Sequence, residues 1–180
     1  NFPWKNGVDL ALEFEKNLGI PVKADNDVNV ITLGEMWQGA GQGYKNVLGL
    51  AIGTGIGGGI IVDGKLISGL NGAGGEVGHI KIEHNGKLCG CGQKGCWEAY
   101  ASATGIIREA QSRLAVNKQN LLYKMTKGRD LEAKDVFDAA KQGDKFSLDI
   151  VDYEAEKLAL GIGNLLNILD PEIVVIGGGV

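Results

Sequence analysis

Apolar residues recur at helical spacing in five stretches of this chain and form short continuous runs in four others. The helical spacing predicts helices over residues 6–19, 28–38, 101–115, 132–143 and 146–169. The apolar runs predict strands over residues 20–24, 46–53, 59–67 and 170–178. The dipeptide Asp63–Gly64 favours a tight hairpin turn within the third of these runs. Because strands alternate with helices, the pattern predicts an α/β protein.

The glycine-rich stretch GTGIGGG (residues 53–59) is predicted to turn the chain between two strands. Gly53, Gly55 and Gly58 have the spacing G-x-G-x-x-G, but the dinucleotide fingerprint requires a helix after the loop, and a strand follows here. A P-loop is excluded because no Gly-Lys-Ser/Thr follows. The glycines therefore predict exposed backbone N–H groups that bind phosphate, with the Thr54 hydroxyl as a further donor. A purely structural hairpin is the alternative.

Three polar residues, Asp25, Asn26 and Asp27, lie between the strand predicted over residues 20–24 and the following helix. Ligands of α/β sheets collect at the carboxyl ends of strands. A carboxylate there can accept the proton of a sugar hydroxyl that attacks phosphorus, and an adjacent amide can orient the hydroxyls. Asn and Asp are also preferred helix N-caps, so capping by Asn26 or Asp27 is the alternative role.

All cysteines of the chain lie within a glycine-punctuated stretch, CGCGQKGC, as Cys89, Cys91 and Cys96. This spacing is not the C-x-x-C of a redox pair, and the glycines allow the three sulfurs to converge. Zn²⁺ commonly takes three cysteines and one histidine in structural sites. We select His79 as the fourth ligand because it is predicted to begin an apolar strand, whereas His84 lies in a polar turn. Three free thiols are the alternative.

Glu76 and Glu98 flank this predicted metal site. Glu98 lies two residues after Cys96, and Glu76 lies three residues before His79. A zinc-bound imidazole uses one ring nitrogen for the metal and offers the other as a donor. The two carboxylates and the imidazole are therefore predicted to form a rigid polar cluster for a polyhydroxylated ligand.

Composition narrows the possible function classes. The net charge of the 180 residues is −4, so no basic surface for nucleic acid is indicated. No apolar run approaches the length of a membrane span. Three clustered cysteines argue against a secreted disulfide scaffold, and a reducing cytoplasm is the expected compartment. The chain begins without Met and ends on IVVIGGGV, which indicates a fragment of a longer protein, with a processed mature chain as the alternative.

Taken together, these motifs resemble the ROK family, which contains bacterial sugar kinases and sugar-responsive repressors. The matching stretches are DNDVN, GTGIGGG, GAGGEVGHI, CGCGQKGCWE and IVVIGGG, and the likeness to the glucokinases of the family is strongest. The resemblance implies an actin-like (ribonuclease H-like) sugar kinase fold. It assigns residues 1–27 to the tail of a small amino-terminal domain and residues 28–180 to most of the large domain. It also implies a homodimer or a larger assembly.

The resemblance further implies a role for each motif residue. The catalytic base corresponds to Asp27. The sugar-binding residues correspond to Asn26, Glu76, His79 and Glu98. The ligands of a structural Zn²⁺ correspond to His79, Cys89, Cys91 and Cys96. The nucleotide-binding residues correspond to Thr54, Gly55, Gly177, Gly178 and Gly179, with Mg²⁺ accompanying ATP.

Two departures from the family pattern bear on activity. Family members usually carry Glu at the position of Asp25, and the Asp-x-Gly-Gly-Thr phosphate motif, which also supports Mg²⁺, is missing from these 180 residues. Residues 1–180 alone are therefore predicted to bind zinc but not to phosphorylate sugar.

The leading interpretation is ATP-dependent phosphorylation of a hexose, with glucose at its 6-hydroxyl as the favoured substrate. The alternative is the sugar-sensing part of a ROK repressor, which would bind DNA only through a further upstream segment. Asp27 and the intact GTGIGGG favour the kinase, because a sensor needs neither. The acidic charge balance disfavours a third class, a zinc-knuckle nucleic-acid binder.

Overall fold

The computed structural model describes residues 7–180, which are organised around a four-stranded mixed sheet. Its strands are β1 Val47–Ile52, β2 Ile56–Val62, β3 Lys65–Leu66 and β4 Ile173–Gly178. The strand order is β3-β2-β1-β4, with β1 antiparallel to β2 and parallel to β4. The carboxyl ends of β1 and β4 consequently lie side by side. The predicted α/β class is confirmed.

Helices cover both faces of this sheet. In chain order they are α1 Leu10–Leu18, α2 Asp27–Gln38, α3 Glu98–Ala101, α4 Ala103–Val116, α5 Leu121–Thr126, α6 Ala133–Lys141 and α7 Lys145–Leu169. The five predicted helices are confirmed, although residue 6, where the first was predicted to begin, lies outside the described residues. The sequence pattern does not predict α3 and α5, which are only 4 and 6 residues long. Within residues 7–180, no helix combines the length and apolar character that a bilayer-spanning segment requires.

The strand predicted over residues 20–24 is wrong. The backbone N–H of Val22 donates to Glu15 Oε1 at 2.9 Å, and Pro21 has no N–H to offer. A strand requires a hydrogen-bonding neighbour, and among residues 7–180 no strand pairs with this segment. The polar residues that follow therefore lie at the amino terminus of α2 and not at the end of a strand.

Tight turns connect the first three strands. Residues 53–55 join β1 to β2, and Asp63 and Gly64 join β2 to β3 with positive φ angles of 51° and 74°. Positive φ at both central residues is the conformation that an Asp-Gly hairpin favours, so this predicted turn is confirmed.

The last three glycines of the GTGIGGG stretch lie in β2, which corrects the prediction that the whole stretch is one turn. A Cβ on Gly57 would overlap Val28 of α2, and a Cβ on Gly59 would overlap the side chain of Thr32. These glycines allow α2 to pack closely on the sheet. Only the first two glycines of the stretch belong to the turn.

We expect Gly59→Ala to lower the free energy of unfolding by about 1–3 kcal/mol, because the new methyl group would overlap the buried Thr32 side chain. Urea unfolding of the purified protein measures this change. Gly34→Ala is the matched control, since Gly34 lies in α2 with open space around it and Ala is the better helix former. Equal stability of the Gly59→Ala variant and the parent would contradict the packing role.

Trp97 anchors the end of the cysteine stretch in the core. Its side chain is fully buried, and its indole N–H donates to the carbonyl oxygen of Lys157 in α7 at 3.0 Å. Gly161 lies one turn further along α7, where any side chain would overlap the indole ring. Because Glu98 is the next residue after Trp97, the core fixes the backbone from which this carboxylate projects.

Glu154 of α7 is buried with 5% of its surface exposed, and neither carboxylate oxygen has a hydrogen-bond partner among residues 7–180. Burial raises the pKa of this carboxyl from 4.5 to about 8. Between these two values the folded state holds a proton that the unfolded state has released. The free energy of unfolding therefore falls as pH rises through this window and is constant above it.

Glu154→Gln removes this titration while keeping the size of the side chain. We expect the variant to match the parent near pH 4 and to exceed its free energy of unfolding by roughly 2–4 kcal/mol at pH 8.5. Urea unfolding of the unliganded protein at pH 4, 6 and 8.5 measures the difference. The same difference at every pH would contradict a raised pKa in the folded state.

Candidate active site

The amino terminus of α2 presents two of the predicted catalytic and sugar-binding side chains. Asn26 is the N-cap, and its Oδ1 accepts from the backbone N–H groups of Val28 at 2.9 Å and Asn29 at 3.3 Å. This confirms that one of the two candidate residues caps the helix. Asp27, the first residue of α2, is exposed, and its Oδ1 accepts from the Val28 N–H at 2.9 Å.

Asp25 connects the loop before α2 to the helix itself. Its Oδ1 accepts from Asn29 Nδ2 at 2.8 Å and from the Asn26 backbone N–H at 2.7 Å. The Asn29 side-chain hydrogen bond, followed by the backbone one, lowers the pKa of Asp25. Sequence reasoning did not single out Asn29, which is buried directly beneath this loop. Asp25 therefore holds the loop that carries Asn26 and Asp27 against the helix.

The segment that carries Glu76 and His79 lies against β2 through glycines. Gly75 has a φ of 90°, and a Cβ on it would lie 2.6 Å from the carbonyl oxygen of Gly58. The chain then forms a 3₁₀ turn over Val77–His79. The prediction that His79 begins a strand is therefore wrong: the glycines pack closely against β2, the chain turns at His79, and residue 81 then forms an isolated bridge with residue 96 and not a strand.

The structure brings the four predicted metal ligands together. Their ligand atoms all lie within 4.8 Å of one another in His79, Cys89, Cys91 and Cys96. His79 Nδ1 is 3.7 Å from Cys89 Sγ, and Cys91 Sγ is 3.7 Å from Cys96 Sγ. His84 lies outside this cluster, where its Nε2 is 3.0 Å from Asn85 Nδ2.

The donor set of this cluster fits Zn²⁺. Three sulfurs and one imidazole nitrogen are a common tetrahedral set for a structural site, and the cysteines bind as thiolates. Burial raises the pKa of the Cys89 thiol to about 12, whereas a backbone hydrogen bond from Gln93 lowers the pKa of Cys91. Ionisation of the buried Cys89 thus requires a nearby positive charge, which a bound divalent cation supplies.

Both glutamates of the predicted polar cluster lie beside His79. Its Nε2 is 4.0 Å from Glu76 Oε2, and its Nδ1 is 3.7 Å from Glu98 Oε1. Glu98 Oε1 is also 3.0 Å from Cys89 Sγ. Nδ1 of His79 therefore faces the cysteines and Glu98, and Nε2 faces the exposed carboxylate of Glu76, which a ligand can reach.

Glu98 also meets the glycine turn between β1 and β2. A Cβ on Gly55 would lie 2.6 Å from Glu98 Oε2, so a larger residue at this point would displace the carboxylate from its position against the turn. The turn is held to α4 by two hydrogen bonds, from Thr104 Oγ1 to the Thr54 carbonyl and from the Ala103 N–H to the Gly53 carbonyl, each 2.8 Å long. The turn and the cysteine cluster are thus joined through one glutamate.

The glycines at the end of β4 lie beside the same turn. Gly178 pairs with Ile52 at the end of β1, and the Gly179 N–H donates to the Ile52 carbonyl at 3.0 Å. Gly178 has a φ of 133°, and a Cβ there would overlap the Ile52 backbone, so glycine is required. The two predicted nucleotide-binding segments are therefore neighbours at one edge of the sheet.

A cavity of about 250 Å³ lies between the glycine turn and the cysteine cluster. Thr54, Gly55 and Glu98 line it, together with Thr104 and Arg108 of α4. Sequence reasoning missed the last two residues. Their spacing of four puts them on one face of a helix, but nothing in the sequence indicates that this face meets the turn.

A model of the ROK family matches residues 1–180. This chain belongs to the ROK family. The predicted actin-like sugar kinase fold is confirmed, because solved structures of ROK family kinases superpose on this chain.

Three relatives illustrate the match. A glucokinase of Thermotoga maritima is 44% identical over 181 residues, which cover 100% of this chain and 57% of that protein. A ROK family glucokinase from Streptomyces griseus, solved in complex with glucose and AMPPNP, superposes with a TM-score of 0.84 at 38% identity, covering 99% of this chain and 58% of that one. A ROK family transcriptional regulator, a homolog of the E. coli MLC protein, has a TM-score of 0.82 at 32% identity over 94% of this chain and 42% of that chain. This chain thus spans little more than half the length of the glucokinases that it matches.

Proposed function

We propose that this chain forms part of an ATP-dependent hexose kinase of the ROK family, which converts glucose to glucose 6-phosphate. The observation that carries the proposal is the position of Glu98 between the His79 cluster and the glycine turn at Gly55. A sugar bound by this glutamate lies next to phosphates bound by the turn. The similarity to a glucokinase solved with glucose and AMPPNP supports the same arrangement.

In this proposal the sugar is bound by side chains from three segments. Asn26 uses its Oδ1 for capping, and its Nδ2 group can donate to a sugar hydroxyl. Glu76 and Glu98 accept hydrogen bonds from further hydroxyls, and His79 Nε2 donates to one. Asp27 takes the proton of the 6-hydroxyl as that oxygen attacks the γ-phosphorus, so it acts as the general base.

The phosphates are bound at the edge of the sheet. The Thr54 hydroxyl and the backbone N–H groups around Gly55 donate to phosphate oxygens, and the glycines at residues 177–179 bind the adenosine side. Mg²⁺ enters with ATP. Transfer moves the γ-phosphoryl group from ATP to the sugar oxygen and leaves ADP.

Zn²⁺, held by His79, Cys89, Cys91 and Cys96, serves as a structural centre in this proposal. Four protein ligands fill a tetrahedral site, so the role of these residues is to orient and not to react. The cysteine stretch fixes the ring of His79 and, through Trp97, the backbone of Glu98. The division into domains at residues 1–27 and 28–180, the homodimeric or larger assembly and the cytoplasmic location remain predictions.

A sugar-sensing role within a ROK repressor is the second candidate, because a ROK transcriptional regulator superposes almost as well as the glucokinase. Two assays of the full-length protein separate the candidates. A kinase forms glucose 6-phosphate and ADP from glucose and ATP in a coupled assay. A repressor forms neither product, and its affinity for operator DNA changes when sugar is added.

A further inference from the structure

Lys81 lies directly opposite the predicted metal ligand Cys96, across the isolated bridge that joins these two residues. Two backbone hydrogen bonds of 2.9 and 3.0 Å flank the bridge, each between the residue before one member of the pair and the residue after the other. Bonds in this arrangement leave the pair itself without backbone hydrogen bonds, and side chains of such pairs approach most closely. A side chain at residue 81 is therefore placed to reach the Cys96 sulfur.

The Lys81 side chain makes this contact. Its Nζ donates to Cys96 Sγ at 2.9 Å, and it reaches the buried sulfur from an exposed position on the protein surface. Among residues 7–180, no other lysine or arginine donates to a cysteine sulfur. Two other lysines of this region, Lys87 and Lys157, are instead paired with glutamates at 2.7 and 3.0 Å. The ammonium group of Lys81 is thus directed at a metal ligand.

The proposed zinc centre carries an excess of negative charge. Three thiolates and one neutral imidazole leave a Zn²⁺ site with one negative charge. Glu98 Oε1 lies 3.0 Å from Cys89 Sγ. Glu76 Oε2 lies 4.0 Å from His79 Nε2, so a second carboxylate is close to the same ligands. Because like charges at such distances repel, a positive charge beside the thiolates stabilises the centre.

We propose that Lys81 is a positioning residue of the metal centre: its ammonium group donates a hydrogen bond to the Cys96 thiolate and offsets the negative charge of the zinc ligands. The inference rests on the zinc centre of the proposed function and adds a residue outside the four ligands. Groups that hydrogen-bond to metal ligands fix the orientation of those ligands and tune the metal affinity. Lys81 thereby lets carboxylates that bind sugar lie beside a centre that is already negatively charged.

The test measures the zinc affinity of the full-length protein by competition with a chelator that changes colour when it binds zinc. The variants are Lys81→Met, Lys81→Arg and Lys94→Met. Lys94 is exposed and lines the same surface cleft as Lys81, so Lys94→Met removes an equal charge nearby and is the matched control. We expect Lys81→Met to weaken zinc binding at least about 10-fold. Lys94→Met and Lys81→Arg, which keeps the charge and the N–H donors, should stay within about threefold of the parent.

Cobalt substitution distinguishes the hydrogen bond from a general effect on folding. Co²⁺ can take the place of Zn²⁺, and its thiolate-to-metal charge-transfer absorption reports on the sulfurs. Loss of a hydrogen bond raises the energy of the thiolate electrons, so the band should move to longer wavelength in Lys81→Met. It should keep the position of the parent in Lys81→Arg and Lys94→Met. If Lys81→Met does not fold, Lys81→Ala takes its place with the same expected results, because it also removes the charge and the donors.

The outcomes separate this inference from the proposed function. Weakening by less than about 10-fold, or an unshifted cobalt band, in folded Lys81→Met overturns the inference, while zinc bound by the parent still supports the metal centre. So does weakening by Lys94→Met that matches that of Lys81→Met. If the parent binds no zinc, the inference and the metal centre both fail, although glucose phosphorylation would still support the kinase. If the parent forms no glucose 6-phosphate but zinc affinity depends on Lys81 as expected, the kinase proposal fails and the role of Lys81 stands.

Discussion

The full-length protein carrying Asp27→Asn is expected to bind glucose with the affinity of the parent but to phosphorylate it about 10²–10⁴-fold more slowly. The amide is nearly the same size as the carboxylate and keeps an oxygen for the Val28 N–H, so the first turn of α2 is preserved. It cannot accept the proton of the attacking hydroxyl. A coupled assay gives kcat, and calorimetry gives the glucose affinity.

Asp9→Asn is the matched control for this change. Asp9 also lies at a helix amino terminus, where it caps α1 by accepting from the Leu12 N–H at 3.1 Å, and Asn caps equally well. We expect this variant to keep the kcat of the parent. If Asp27→Asn also kept it, the assignment of Asp27 as the base would be wrong.

Loss of the metal is the second change with a large expected effect, and Cys91→Ser is the variant that tests it best. Cys91 is exposed, whereas Cys89 and Cys96 are buried, so its replacement removes a ligand without opening the core. We expect the zinc content to fall well below one per chain and the glucose affinity to fall at least about 10-fold, because His79 and Glu98 lose their fixed orientation. Atomic absorption measures zinc, and calorimetry measures glucose binding.

The second histidine provides the control. His84→Ala removes an imidazole that lies outside the cluster, so zinc content and glucose affinity should remain those of the parent. Zinc loss in His84→Ala would show that the ligand assignment is wrong. Unchanged glucose affinity in a zinc-free Cys91→Ser variant would make the metal incidental to sugar binding.

Local signals in the sequence predict most elements of this fold, because they depend on neighbouring residues alone. The cap at Asn26 and the turn at Asp63–Gly64 are of this kind. The strand predicted over residues 20–24 fails because a strand depends on a partner, and apolar character does not say whether one is present. His79 lies in a 3₁₀ turn for a comparable reason, since glycines packed against another strand shape the backbone before it.

The sequence predicts which residues of the site could bind a metal or ligand better than it predicts which other residues lie next to them. Clustered cysteines with a nearby histidine point to a metal from spacing alone, and the structure brings the four ligand atoms together. The position of Arg108 in the site and the burial of Glu154 in the core could not be predicted, because helical spacing shows which residues share a face and not what that face meets. An isolated Glu in an amphipathic helix looks like any solvated residue until the helix is placed against the sheet.

The division of GTGIGGG between a turn and a strand affects how variants of this stretch are interpreted. Substitutions at residues 53–55 alter backbone groups at the edge of the sheet, whereas substitutions at Gly57 and Gly59 push α2 away from it. A library that randomises the whole stretch would thus mix two phenotypes, one of impaired ligand binding and one of lowered protein abundance. If abundance and activity are scored separately, variants before Ile56 should lose activity, and variants after Ile56 should lose abundance.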